Sequence, residues 1–125
     1  MLPSSIIYRY QKRRMRQSAV INMSKYYSLG IDIGSTTVKV ALLDSEQNLI
    51  FSDYQRHYAN IQETLASLIQ KALEITGPVD IAPMITGSGG LTLANHLQVP
   101  FTQEVIAVAT SLKELAPKTD VAIEL

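Results

Sequence analysis

The chain of 125 residues contains no cysteine. It therefore has no disulfide framework and no thiolate metal site, and it cannot ligate an iron–sulfur cluster by itself. An intracellular, cytoplasmic setting fits that composition. Formal net charge at pH 7 is zero, so nothing global marks the chain for nucleic acid or an anionic membrane. No run approaches the roughly 18 apolar residues that a bilayer-spanning helix takes. Gly-Lys-Ser and Gly-Lys-Thr are both absent, which excludes a Walker-type phosphate loop. His57 and His96 stand isolated, with no second ligand at metal spacing, and read as ordinary surface or edge residues.

What remains is 46% hydrophobic with a mean hydropathy of +0.10, enough for one modest core in one domain or part of one. The charge is unevenly placed. Residues 1–22 carry Arg9, Lys12, Arg13, Arg14 and Arg16 and no acid, a charge of +5; the remainder carries −5. The order of basic and apolar residues in 1–22 does not fit a secretory signal, whereas an organelle-type presequence is compatible with the composition. An early start with Met23 as the true beginning, or a disordered basic tail, fits better. As a nucleic-acid arm the run lacks aromatic interleaving beyond Tyr8 and Tyr10. The expected domain is 23–125.

From residue 27 the pattern predicts an α/β domain. Tyr27–Ile33 and Thr37–Leu43 read as antiparallel strands joined by a tight turn, and Leu49–Tyr58 continues the meander after the polar turn at 44–48. Asn60 reads as an N-cap with Glu63 in the capping-box position. Ile61, Leu65, Leu68, Ile69, Ala72 and Leu73 form one helical stripe, ended by Gly77-Pro78. A strand over 79–86, shortened by Pro83, leads through Gly87-Ser88-Gly89-Gly90 into a short helix over 91–97. Val99–Phe101 reads as extended, Thr102 as the cap of a helix ended by Pro117, and Asp120–Leu125 as a last strand. The expected order is βββαβαβαβ.

Two stretches carry chemistry. Asp32 is a carboxylate in an otherwise apolar strand, followed by Gly34, Ser35, Thr36 and Thr37 and then by Lys39. A lone buried charge needs a partner, and magnesium suits it because that ion takes hard oxygen ligands and keeps several waters. Gly34 lets backbone approach a phosphate, and successive N–H groups in such a turn make an anion nest. The residue types alone leave open a plain hairpin whose aspartate caps the turn. In the second stretch Gly87, Ser88 and Gly89 follow a strand and open a helix, where ligands of parallel α/β sheets gather; a tight turn needing conformational freedom satisfies the same residues.

The segment Leu29–Asp44 closely resembles the first phosphate-binding motif of the superfamily of acetate and sugar kinases, heat-shock ATPase chaperones and actin. That resemblance implies a ribonuclease H-like, actin-like ATPase domain. There Asp32 would sit near magnesium in a catalytic position, with Gly34, Ser35, Thr36, Thr37 and Lys39 around the nucleotide β- and γ-phosphates. Thr86-Gly87-Ser88-Gly89-Gly90 together with Val99–Ala107 is similar to the activators of 2-hydroxyacyl-CoA dehydratases and benzoyl-CoA reductases, especially the long CoA-substrate-specific activases. This second stretch is absent from sugar kinases. The resemblance spans about residues 26–125. It implies ATP or ADP with magnesium as ligand, a dehydratase and a second activator subunit as partners, and ATP-driven electron transfer from a shared iron–sulfur cluster. It also places Glu104 near the nucleotide site, although complementing a helix dipole explains that residue equally well.

In the family the strand corresponding to 121–125 runs on into a second phosphate motif, Gly-Gly-Gln/Glu-Asp, and the cluster cysteines and adenine pocket follow later. The expectation is a nucleotide-binding part of an activase, with weak or no nucleotide affinity and negligible turnover on its own, and with an unpaired sheet edge. A non-enzymatic remnant or interaction module is the alternative, and part of a sugar or acetate-type kinase a lesser one.

Overall fold

The computed structural model describes residues 26–123. The basic segment 1–22 and the end of the expected last strand, residues 124–125, lie outside the described residues. Strands β1 (Tyr27–Ile33), β2 (Thr37–Leu43) and β3 (Leu49–Arg56) form an antiparallel meander. Helix α1 (Ile61–Thr76), strand β4 (Ile81–Thr86), helix α2 (Gly90–Leu97) and helix α3 (Glu104–Leu115) follow. The sheet order is β3-β2-β1-β4, with β4 parallel to β1.

Period-two alternation sorts the strands into faces. Leu29, Ile31 and Ile33 of β1 and Val38, Val40 and Leu42 of β2 point to one side. They pack there with Leu65, Leu68, Ile69 and Ala72 of α1 and with Ile85, Leu93 and Ala94. Each fully buried Leu or Ile in this layer contributes about 1.5–3 kcal/mol of transfer free energy. The stripe expected on α1 is the stripe observed, with Ile61 and Leu73 at its half-buried margins. The opposite sheet face carries Gly30, Lys39, Tyr54 and Met84, all exposed.

The termini of α1 divide the expectations. Gly77 ends the helix at φ 66°, its N–H bonded to the Leu73 carbonyl at 2.8 Å. The capping box at the other end does not form. Asn60 Nδ2 donates to Glu63 Oε2 at 2.6 Å, and the Asn60 side chain makes no cap bond to the helix backbone. The Asn60 N–H that a capping box would give to Glu63 goes instead to the His57 carbonyl at 2.6 Å.

Pro83 sits within β4 without breaking it. The Ile85 N–H points away from β1 to the Pro100 carbonyl at 2.9 Å. Pro83 has the same parity, so its missing donor removes no bond to β1. Beyond β4 the expected order is corrected in three places. Val99–Phe101 is reduced to a single parallel bridge between Phe101 and Ile85. Gln103, not Thr102, holds the N-cap of α3, because the Thr102 N–H is drawn to the Ile85 carbonyl. Residues 120–123 are not strand; no neighbouring strand is present among the described residues to pair with them, and an isolated strand cannot satisfy its backbone groups. Also among the described residues, no helix is long and apolar enough to cross a membrane.

Candidate phosphate-binding site

Asp32 lies near the end of β1, opposite Lys39 on β2 and Thr86 on β4. Its carboxylate accepts from Lys39 Nζ at 3.3 Å, with the two side chains 34% and 60% exposed. A long pair this open to water is worth at most about 1 kcal/mol, so an arriving anion can draw the ammonium away cheaply. Thr86 Oγ1, beside Asp32 at the same end of the sheet, is buried and has no hydrogen-bond partner among the described residues. Thr86 stood in the sequence as part of the Thr86–Gly90 stretch and was not a candidate site residue; the available signal was a hydroxyl residue at a strand end, directly before Gly87.

The β1–β2 turn closes through the Gly34 N–H and the Thr37 carbonyl at 2.9 Å. Ser35 and Thr36 at its tip are exposed, and their N–H groups have no acceptor among the described residues. Thr37 and Gly34 are half-buried. A Cβ at Gly34 would meet the Thr37 carbonyl oxygen at 3.5 Å, an ordinary contact, so packing within the chain does not demand glycine there.

Gly87 is different. It adopts φ +99°, and a Cβ there would stand 2.3 Å from the Ile33 carbonyl oxygen and 2.6 Å from Asp32 Oδ1. The Gly89 N–H donates to that same Ile33 oxygen at 2.9 Å. The glycine loop after β4 is thus docked against the end of β1. The fold brings Asp32, Gly34, Ser35, Thr36, Thr37 and Lys39 to one end of the sheet, and Gly87, Ser88 and Gly89 beside them. Glu104 heads α3, half-buried, and no hydrogen bond or ion pair joins it to that group among the described residues.

His57 is not the surface residue its isolation in the sequence suggests. It is 8% exposed and directly follows β3. Its backbone N–H donates to the Thr36 carbonyl at 3.0 Å, Nε2 lies 3.2 Å from the Gly34 carbonyl oxygen, and Nδ1 accepts the Ala59 N–H at 3.0 Å. Positive φ at Tyr58 (45°) and Ala59 (65°) forms a tight turn closed by the Asn60 N–H on the His57 carbonyl at 2.6 Å, and the same turn leaves the Ala59 N–H on Nδ1; the conformation costs non-glycine residues about 1–2 kcal/mol each. The sequence offered no signal, since Gly34 lies 23 residues away. No group of three or more His, Cys, Asp or Glu side chains suited to a metal occurs among the described residues.

No family model matches the chain, and no curated protein matches it in sequence. Solved structures do. Component A of the (R)-2-hydroxyglutaryl-CoA dehydratase from Acidaminococcus fermentans is 23% identical at a TM-score of 0.64, over 75% of this chain and 37% of that one. The activator of the 2-hydroxyisocaproyl-CoA dehydratase from Clostridium difficile, solved with bound ADPNP, is 24% identical at a TM-score of 0.62, over 74% of this chain and 35% of that one. This chain therefore spans about a third of the length of these two structures. At such identity the likeness establishes the fold alone, and it is the ribonuclease H-like, actin-like ATPase fold that the resemblance of Leu29–Asp44 implies.

Proposed function

We propose that the chain is the nucleotide-binding part of an ATP-dependent activator of the kind that drives electron transfer to a 2-hydroxyacyl-CoA dehydratase or a related enzyme. The observation that carries this reading is the docking of the Gly87–Gly89 loop against Asp32, beside a turn whose Ser35 and Thr36 N–H groups have no acceptor among the described residues. Likeness to two dehydratase activators, one solved with a nucleotide analogue, supports it.

The residues present fit a magnesium nucleotide. Magnesium is held typically by one or two carboxylates with phosphate oxygens and waters rather than by an all-protein cage, so a single aspartate without a metal cluster suffices. Asp32 would hold the ion through its water shell, and bound magnesium would neutralise phosphate charge. The N–H groups of Ser35 and Thr36 and the hydroxyls of Thr36 and Thr37 donate to phosphate oxygens, while Lys39 exchanges its weak pair with Asp32 for the phosphate. Glycine at position 34 keeps side-chain atoms off the face the phosphate approaches. These groups bind and orient. None of them positions an attacking water, and phosphoryl transfer depends on such positioning, so the chain alone has weak affinity and negligible turnover. The iron–sulfur cluster implied for complete family members finds no thiolate in this sequence.

Amide spectra of the chain titrated with millimolar MgADP test the reading. Ser35 and Thr36 should shift, and Asp32→Ala should weaken the response about tenfold, the loss of one charge-assisted interaction of about 1.5 kcal/mol. Shifts elsewhere that ignore Asp32→Ala, or brisk ATP hydrolysis abolished by it, would defeat the proposal.

A further inference from the structure

We propose that His57 is a positioning residue for the phosphate-facing turn, its imidazole setting the orientation of the Gly34–Ser35 peptide. The inference rests on the nucleotide reading for its purpose, but its geometry stands independently.

His57 is the buried polar or charged side chain of the described core, and both of its ring nitrogens are engaged. Because the Ala59 N–H donates to Nδ1, that nitrogen carries no proton. The neutral ring then bears its hydrogen on Nε2, which donates to the Gly34 carbonyl oxygen. In a planar trans peptide the C=O and N–H point in opposite directions. Turning the Gly34 carbonyl toward the imidazole therefore aims the Ser35 N–H away from it, toward solvent. The backbone of the same residue repeats the device: the His57 N–H takes the Thr36 carbonyl, which aims the Thr37 N–H away as well. One residue at the end of β3 thus fixes two of the three peptides of the turn.

The positive-φ turn at Tyr58 and Ala59, closed by the Asn60 N–H on the His57 carbonyl, also places the Ala59 N–H on Nδ1, and that contact selects the ring form that can donate to Gly34. A histidine placed merely to fill space would not need that tautomer. Asp32 and the glycine loop define what the site holds, whereas His57 determines whether the turn presents its donors in one orientation.

Two substitutions separate the ring's contacts. His57→Gln keeps an N–H donor near the position of Nε2 but loses the Nδ1 acceptor; His57→Asn keeps an acceptor near Nδ1 but cannot reach Gly34. The probes are the amide resonances of residues 34–37 in the full chain without nucleotide, the imidazole nitrogen spectrum, and then titration with MgADP. The wild-type ring should show the neutral Nε2–H form. His57→Gln should keep one ordered set of turn amides and MgADP affinity within about threefold. His57→Asn should broaden or multiply those amides and weaken MgADP about tenfold, the scale of one well-placed hydrogen bond.

Equal behaviour of the two variants, an Nδ1–H ring, or affinity that follows melting temperature and not the donor would overturn the proposal. If His57→Asn does not fold, His57→Gln alone decides, because loss of turn order in that variant contradicts the inference. If no form of the chain responds to MgADP, the nucleotide reading fails while the turn amides still judge His57.

Discussion

Replacing Gly87 by alanine probes the docking on which the candidate site depends. The new Cβ would lie 2.3 Å from the Ile33 carbonyl oxygen and 2.6 Å from both the Ile33 carbonyl carbon and Asp32 Oδ1. Two of those atoms are backbone at the end of β1 and cannot swing aside as a side-chain tip would. Gly77 supplies the control, because it also has positive φ, at 66°, yet a Cβ there meets nothing within 4 Å. The conformational cost is shared by both sites and amounts to about 1–2 kcal/mol. Overlap adds about 1–3 kcal/mol at Gly87 alone. Against a domain stability of about 5–15 kcal/mol, Gly87→Ala loses a large fraction and Gly77→Ala a small one. At about 4–8 °C per kcal/mol for a domain of this size, Gly77→Ala should lower the melting temperature by one to two such steps and Gly87→Ala by two to five. Thermal and urea unfolding followed by circular dichroism measures both, and the Ser35 and Asp32 amides should move in the Gly87 variant alone. Equal melting of the two variants would refute the placement of the glycine loop against β1.

The core makes a second contrast: Leu68, fully buried, should lose about 2–5 kcal/mol on truncation to alanine, whereas Leu91→Ala, at a residue 52% exposed, should stay within about 0.5 kcal/mol. Urea midpoints distinguish the two. The Lys71 ammonium of α1, 2.7 Å from Asp53 on β3 and helped by the Tyr54 N–H, holds that carboxyl below its ordinary value of 3.8. The folded-state value is thus the lower one, so the contribution is present above the unfolded value and is lost as pH falls through the folded value. Lys71→Met should remove part of the stability decline below pH 3.8 without altering its shape near neutrality; an unchanged acid limb would show that the pair is inert. The Asp44 carboxyl, lowered chiefly by the Asn48 side chain and then by the Asn48 and Glu46 N–H groups, should behave in the same direction when Asn48 is replaced by alanine.

The strands of the meander, the stripe on α1 and the stop at Gly77 were all legible in the sequence because each rests on interactions within a few residues. Alternation sets a strand's buried face, the 3.6-residue repeat sets a helix's, and glycine takes the left-handed cap without strain. The two glycine motifs were legible for a related reason: their residue types are unusual for the elements that carry them, a carboxylate within an apolar strand and three glycines at a strand end.

Competition between partners decided the rest. The Asn60 backbone N–H had the Glu63 carboxylate and the His57 carbonyl within reach, and His57 took it, leaving Glu63 to the Asn60 side chain. Thr102 lost the cap of α3 because its N–H completes a bridge to Ile85, a residue far away in the chain. Most of all, His57 lay outside any motif and became part of the site only because the antiparallel pairing of β3 with β2 carries its end to the β1–β2 turn. The sequence by itself determined the elements, the core face and the chemistry available at the sheet's end. Tertiary structure alone determined how the turn's donors are aimed, because orientation depends on groups distant in sequence that only the closed sheet brings within hydrogen-bond reach.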